Sequence, residues 1–153
     1  MPVELFLKIA GQTFYYFKMI SPHLHPALFV AHTGQKGRGV FTTNEIPADT
    51  IIETAPVIVF DAAHRKLLEQ TKLYNYIFEW GDDYTGCCVA LGLVSIYNHA
   101  TPANCEYLMM FETETIIMRT VRDIEADEEL TINYSAGWDE EKPVWFEMKK
   151  ENR

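Results

Sequence analysis

The amino-acid sequence predicts a single, mostly β domain with a few short helices. The apolar runs are short, they are rich in β-branched residues, and glycine or proline turns separate them. The chain has 153 residues, which is the length of about one domain. Hydrophobic residues make up 48% of the chain and charged residues 23%, so the composition is that of a globular protein and not of a disordered one.

The first half of the chain predicts several short strands and one helix. An apolar stretch begins at Leu28 and leads through the glycine-rich turn HTGQKGRG into a run over residues 40–43. The β-branched run over residues 50–60 is interrupted by Pro56, and the stretch over residues 28–60 as a whole predicts two or three short strands with the proline at an edge or a corner. Asp61 is a typical N-cap, and the helix-forming stretch AAHRKLLEQTKL follows it.

The second half predicts two hairpins and a last strand. Residues 76–80 and the segment CCVAL flank the turn GDDYTG, and residues 91–97 fit one or two short helical turns. Residues 105–111 and 115–121 flank a polar turn, and residues 129–134 form the last short strand. Many short strands with little helix favour a mostly β fold.

Charge and cysteine content disfavour several classes of function. The chain has 13 Lys plus Arg against 22 Asp plus Glu, a formal net charge of −9, which disfavours binding to nucleic acid phosphates and suits a basic partner. The three cysteines are too few for a disulfide scaffold, and without a CxxC pair they exclude a four-cysteine zinc site. The pair His23 and His25 would be only a weak metal site. No apolar run is long enough to span a membrane, and we expect an intracellular protein without a metal.

The segment GQKGRGVF, residues 34–41, is the first candidate for a functional role. A glycine-rich turn exposes backbone N–H and C=O groups and lets a ligand approach closely. The GxxGxG spacing differs from the dinucleotide fingerprint GxGxxG, and a β-branched run follows it where that fingerprint requires a helix. Taken alone, this segment is most simply interpreted as a tight hairpin.

Two further segments carry polar residues next to apolar runs. In SIYNHATPANC, Asn98 and His99 follow an apolar stretch and Asn104 lies in a proline-containing loop. Asparagine both donates and accepts hydrogen bonds, so these side chains could bind a ligand or simply cap turns. In EELTINY, two acidic residues precede a run that ends at Tyr134, whose hydroxyl could orient a reacting group or merely end a core strand.

Taken together and in this order, the three segments resemble the SET-domain protein lysine methyltransferases. GRGVF is similar to the N-terminal glycine motif of that family, NHATPAN to its Asn-His motif, and EELTINY to the motif that ends in the catalytic tyrosine. The resemblance covers about residues 28–147, and the compact size is similar to that of the minimal viral and bacterial SET proteins. It implies a SET-domain (β-clip-like) fold with a knot-like C-terminal threading.

The resemblance also implies a division of the chain. Residues 1–27 would be an N-terminal extension, residues 28–137 the SET domain, and residues 138–153 a tail that closes the substrate channel. The sequence leaves the oligomeric state open.

The resemblance implies transfer of a methyl group from S-adenosylmethionine to a lysine of a protein, either a histone tail or another basic peptide. Tyr134 would be the catalytic tyrosine, and Tyr107 would limit the number of methyl groups, which suggests monomethylation. The residues implied to bind the methyl donor are Arg38, Gly39, Asn98, His99 and Trp145. Trp138 and Phe146 are implied to contact the substrate in place of the family's Cys-rich segments, which this chain lacks.

Two departures from the family pattern leave an alternative function open. INYS stands where the family more usually has an acidic-Tyr-Gly ending, and Ala55 stands where a further channel tyrosine is often found. A non-catalytic SET-like module that binds a basic peptide would tolerate both departures. A thiol hydrolase that pairs His99 with Cys105 or Cys87 is a third interpretation, although no residue that would orient the histidine is evident.

Overall fold

Short strands account for most of the described chain. The computed structural model describes residues 7–9, 12–14, 21–34 and 36–134, the first two of these ranges by their backbone alone. Within these ranges the α-helix is α1 (Ala62–Leu68). The strands are β1 (Leu7–Ile9), β2 (Gln12–Phe14), β3 (His23–Leu24), β4 (Leu28–His32), β5 (Arg38–Thr42), β6 (Ile51–Phe60), β7 (Ile77–Trp80), β8 (Gly86–Ala90), β9 (Asn98–His99), β10 (Cys105–Met110), β11 (Thr115–Thr120) and β12 (Glu129–Ile132). The predicted mostly β class is confirmed.

The described strands form three sheets. β1 and β2 pair as a small hairpin. The largest sheet has the order β10-β11-β6-β8-β7, with β3 also paired to β6, and the third has the order β4-β5-β12-β9. The β12–β9 pair is parallel and places Thr131 opposite Asn98 and Ile132 opposite His99. This pair brings the Asn-His motif beside the strand that leads to Tyr134, although the two are distant in the sequence.

Strand β6 is the third of the strands that the structure has between residues 28 and 60, as predicted, but it is longer than expected. It runs without a break from Ile51 to Phe60 and contains Pro56. Its first residues, 51–56, pair with β11, whereas residues 57–60 pair with β8. The Pro56 carbonyl accepts a hydrogen bond from the Leu91 N–H at 3.0 Å, just beyond the last residue of β8. The proline therefore stands at the end of a ladder, where its missing N–H is tolerated within a strand.

The helix and the two hairpins agree with the sequence prediction. The Asp61 side chain accepts a hydrogen bond from the His64 N–H at 2.8 Å, which satisfies one of the free donors of the first turn of α1. The helix ends at Leu68, earlier than the helix-forming stretch suggests. β7 and β8 form the first predicted hairpin, and β10 and β11 form the second.

One hydrophobic core includes side chains from both larger sheets. Val40 and Leu130 come from β5 and β12, whereas Ile52, Ile116 and Met118 come from β6 and β11, and all five are completely buried. Burial of an aliphatic side chain of this size contributes about 1.5–3 kcal/mol. The core therefore fixes β12, whose carboxyl end leads into the candidate site.

Two predictions on the architecture stay predictions. The knot-like threading involves the tail after Tyr134, and residues 135–153 lie outside the described part of the chain. The boundaries of the N-terminal extension, the SET domain and the tail likewise depend on ranges that are described only in part.

Candidate functional site

Tyr134 lies against the residues of the Asn-His motif. Its backbone N–H donates to His99 Nδ1 at 3.2 Å, and the two ring centroids are 5.4 Å apart. Because Nδ1 accepts this hydrogen bond, the proton of the neutral imidazole belongs on Nε2. The Tyr134 hydroxyl donates to the Tyr97 carbonyl at 2.8 Å. Tyr134 is thus held against residues 97–99 through its ring, its backbone N–H and its hydroxyl.

The glycine turn packs on the same residues. Asn98 Nδ2 donates to the Arg38 carbonyl at 3.0 Å and to Glu129 Oε1 at 2.7 Å. Gly39, the next residue of β5, has no room for a side chain, because a Cβ atom there would overlap Glu129 Oε1 and approach Asn98 Nδ2 to 2.9 Å. A larger residue at this position would therefore have to displace side chains of β9 and β12.

A lysine of the same turn reaches the backbone of the Asn-His motif. Lys36 Nζ donates to the His99 carbonyl at 2.8 Å. The turn is shaped by Gly34 and Gly37, whose φ angles of 81° and 79° lie in the left-handed region that favours glycine. The glycine turn, β9 and the end of β12 thus meet at one place, as the order of the three motifs predicts.

The structure brings five of the predicted site residues together and places a sixth on another sheet. The five that the contacts above join are Arg38, Gly39, Asn98, His99 and Tyr134. Tyr107 lies on β10, and its ring packs edge-on against Phe78 of β7 with centroids 5.4 Å apart. Burial raises the pKa of the Tyr107 phenol, so this group is neutral at physiological pH. The other predicted residues, Trp138, Trp145 and Phe146, lie outside the described residues.

Sequence reasoning misses three residues that contact this site, namely Lys36, Tyr97 and Glu129. The available signals are weak: Lys36 lies within the glycine turn, Tyr97 directly precedes the Asn-His pair, and Glu129 begins the last strand. Two of them act through atoms that sequence patterns do not reveal, because the Tyr97 carbonyl is backbone and Lys36 contacts a backbone carbonyl.

Burial of the cysteines argues against the thiol hydrolase. Cys87 and Cys105 are completely buried. Burial raises the pKa of the Cys105 thiol to about 12 and also raises the pKa of Cys87. A nucleophilic cysteine needs an accessible thiol with a lowered pKa, and these two thiols have neither. In the part of the chain that the structure describes, no group of three or more His, Cys, Asp or Glu could hold a metal ion.

Comparisons with known proteins decide the family. The family model of the SET domain matches residues 37–135. This chain belongs to the SET-domain family. It is 35% identical over 127 residues to a Schizosaccharomyces pombe protein named histone-lysine N-methyltransferase, H3 lysine-37 specific, and the match covers 82% of this chain and 81% of that relative. The family predicted from three short motifs is therefore confirmed.

A solved structure supports the fold of this SET-domain chain. A crystal structure of a Plasmodium falciparum protein assigned as a histone methyltransferase matches 75% of this chain and 98% of that chain, with a TM-score of 0.58 and 20% sequence identity. The predicted enzyme class, a SET-domain protein-lysine N-methyltransferase, is confirmed by the family model and the curated relative.

Proposed function

We propose that this SET-domain chain transfers a methyl group from S-adenosylmethionine to the side chain of a lysine in a basic protein segment, such as a histone tail. The observation that carries the proposal is the hydrogen bond that the Tyr134 hydroxyl donates to the Tyr97 carbonyl, beside Asn98 and His99. The curated relative is named for H3 lysine-37, so the histone H3 segment around that lysine is the first peptide to test.

The residues at the site fit a positively charged methyl donor. Carbonyl and carboxylate oxygens converge there from Arg38, Tyr97 and Glu129, and the His99 carbonyl already accepts a hydrogen bond from a lysine ammonium group. S-adenosylmethionine carries a sulfonium and an ammonium group, which such oxygens bind favourably. Gly39 keeps the surface beside them free of a side chain. We propose that these residues, with the Asn98 side chain, hold the donor.

When bound, S-adenosylmethionine supplies a methyl group on a sulfonium that is reactive towards amines. The protein must then present a neutral lysine amine in line with that methyl. The ordinary pKa of lysine is about 10.4, and an apolar channel beside a positive charge lowers it by desolvation and by like-charge repulsion. Alignment of the two reactants can contribute roughly 7–11 kcal/mol in favourable cases.

The state of the Tyr134 phenol suits it to orient the amine. Burial, followed by the negative charge of Glu129, raises the pKa of this phenol, so it stays protonated at physiological pH. Its proton is donated to the Tyr97 carbonyl, so towards an incoming amine N–H the phenol oxygen acts as the acceptor. Tyr134 as a residue is 40% exposed, and we propose that the amine of a bound peptide approaches the phenol from the exposed side.

We propose that a single methyl group is transferred, with Tyr107 as the residue that restricts further methylation. The support is the resemblance together with the position of the Tyr107 phenol, whose ring is held against Phe78 and whose hydroxyl takes up further space. Tyr107→Phe should then yield dimethylated peptide, which mass spectrometry resolves.

A basic substrate also suits the charge of the chain, which is −9 in formal terms. We propose an intracellular site of action, the nucleus in a eukaryotic host, because the curated relative is a histone methyltransferase. No helix in the described part of the chain is long and apolar enough to cross a membrane.

The decisive experiment compares the wild-type chain with Tyr134→Phe. Both are incubated with isotope-labelled donor and lysine-containing peptides, and methylation is measured by mass spectrometry. We expect the variant to lose about 100-fold or more of the turnover, because the amine loses its acceptor. Its affinity for the donor, measured by calorimetry, should change less than threefold. The matched control is Tyr84→Phe, whose side chain is 63% exposed on the β7–β8 turn and should leave turnover unchanged.

Each of the other outcomes has a definite meaning. Equal turnover in Tyr134→Phe and the wild type would remove Tyr134 from the reaction. A wild-type chain that binds basic peptides but no methyl donor would establish the non-catalytic module instead.

A further inference from the structure

A carboxyl group that the mechanism above does not use lies in the core close to the site. Glu53 of β6 is 2% exposed. Its Oε1 accepts a hydrogen bond from the Leu93 N–H at 2.6 Å, and the nearby Val94 N–H also favours the charged form of the carboxyl group. Burial of a carboxyl group is unfavourable unless hydrogen bonds compensate it, and desolvation raises the pKa of Glu53. The burial of the Glu53 carboxyl group therefore points to a structural or functional role.

The end of the same segment also contacts Glu53. Tyr97 is 1% exposed, and its hydroxyl interacts with the Glu53 carboxyl group. Among the described residues, neither this hydroxyl nor Glu53 Oε2 makes a hydrogen bond of ordinary geometry, so the contact between the two buried groups is a close polar approach. The backbone carbonyl of this same Tyr97 accepts the hydrogen bond of the Tyr134 hydroxyl.

The backbone before the 3₁₀ turn Val94–Ile96 is shaped around the carboxyl group. Gly92 has a φ angle of 120°, which L side chains rarely adopt. A Cβ atom on Gly92 would also overlap Glu53 Oε1. Glu53 is thus in contact with the segment 92–97 at its beginning, through Leu93, and at its end, through Tyr97.

We propose that Glu53 is a positioning residue, which holds the segment 92–97 at both ends and so fixes the Tyr97 carbonyl against the Tyr134 hydroxyl. The contacts run from the carboxyl group of Glu53 to the side chain of Tyr97, and from the backbone of Tyr97 to Tyr134. Glu53 touches none of the reacting groups. A shift of about 1 Å in a positioning group can lower the rate about 100-fold. We therefore expect loss of the contacts of Glu53 with the segment 92–97 to lower turnover.

The kinetic part of the test rests on the proposed methyl transfer and uses two variants of Glu53. Glu53→Gln keeps an acceptor oxygen for the Leu93 N–H and a polar group for Tyr97, whereas Glu53→Ala removes both. We expect kcat to fall at least 30-fold in Glu53→Ala and less than threefold in Glu53→Gln. The donor affinity of Glu53→Ala, measured by calorimetry, should fall less than kcat does.

The control for a general loss of stability is Ile46→Ala. Ile46 is buried at the bridge to Ile124, and it belongs to the same hydrophobic core as Val94 and Tyr97 without being part of the segment 92–97. At a temperature where circular dichroism shows both proteins folded, this variant should keep its kcat. Equal losses of kcat in Ile46→Ala and Glu53→Ala would mean that Glu53 acts only through stability, and would overturn the proposal.

A second readout needs no methyl transfer. The pKa of the Tyr134 phenol is measured by NMR on tyrosine-labelled protein, and Tyr134→Phe assigns the signal. Loss of the hydrogen bond to Tyr97 removes a partner that favours the neutral phenol, so the pKa should fall in Glu53→Ala and stay unchanged in Glu53→Gln. The other titratable groups beside this phenol are His99, Glu129 and Tyr76, and all three are present in all the variants.

The two readouts separate the two proposals. If the wild type methylates no peptide but the pKa of Tyr134 falls in Glu53→Ala, the proposed function fails and the positioning role stands. If the wild type is active and neither kcat nor the pKa of Tyr134 changes in Glu53→Ala, the positioning role is wrong. If Glu53→Ala does not fold, Tyr97→Phe takes its place, because this change removes only the hydroxyl that contacts Glu53. It should lower both kcat and the pKa of Tyr134. If it lowers neither, the positioning role of Glu53 is wrong.

Discussion

Replacement of Asn104 by alanine is expected to loosen β12 from the loop that follows the Asn-His motif. The Asn104 side chain is 3% exposed. Its Oδ1 accepts a hydrogen bond from the Thr131 N–H at 2.7 Å, and its Nδ2 donates to the Glu129 carbonyl at 2.8 Å and to Glu128 Oε1 at 3.0 Å. One amide group therefore connects this loop to β12, the strand that positions Tyr134.

The expected loss of stability follows from these three hydrogen bonds. Each ordinary bond contributes about 0.5–1.5 kcal/mol, and a buried N–H left without a partner, here that of Thr131, costs about 1–3 kcal/mol. Glu128 keeps its ion pair with Arg122, so the third bond adds little. The total is about 2–4 kcal/mol. For a domain of 153 residues this corresponds to a fall in Tm of about 5–15 °C.

The assay is urea unfolding followed by tryptophan fluorescence and circular dichroism, with Asn75→Ala as the matched control. Asn75 is exposed at the end of the 3₁₀ turn Lys72–Asn75, so its replacement should change the free energy of unfolding by less than about 0.5 kcal/mol. A difference between the two variants of less than about 1 kcal/mol would refute the reasoning, because the three bonds would then carry no net stabilisation.

Two further changes test the site and its support. Gly39→Ala should weaken binding of the methyl donor at least about tenfold without unfolding the protein, since the added Cβ would displace Asn98 or Glu129. Calorimetry measures this affinity, and an unchanged value would contradict a role of Gly39 in donor binding. Glu128 has its pKa lowered to about 2, first by its hydrogen bond with Arg122. Its contribution to stability is therefore complete above the ordinary pKa of about 4.5 and is lost as the pH falls towards 2. The shift corresponds to about 3 kcal/mol before solvent screening and to about 1–2 kcal/mol after it. In urea unfolding at a series of pH values, Glu128→Gln should reduce this acid dependence, and equal slopes for the two proteins would contradict it.

Local patterns in the sequence are sufficient for the fold class and for the order of the motifs. The Asp61 cap, the hairpin turns and the short strands are encoded within a few residues each, because they depend on backbone conformations and hydrogen bonds between near neighbours. The same holds for the three motifs, whose residue types and order are sufficient to identify the SET-domain family that the comparisons confirm. Position within a motif also predicts Arg38, Gly39, Asn98, His99 and Tyr134 as residues of one site.

Contacts between distant segments are decided by the tertiary structure alone. Pro56 lies inside one continuous strand because β6 takes its second partner from residues about thirty positions later, and no signal near the proline reveals that partner. Tyr107 packs on β7, a contact between the two ends of the largest sheet that depends on the curvature and strand order of that sheet. The roles of Tyr97 and Lys36 depend on backbone carbonyls, and that of Glu53 on buried N–H groups of a segment forty residues away. A backbone group is the same in every residue, so only the folded chain shows which one a side chain meets.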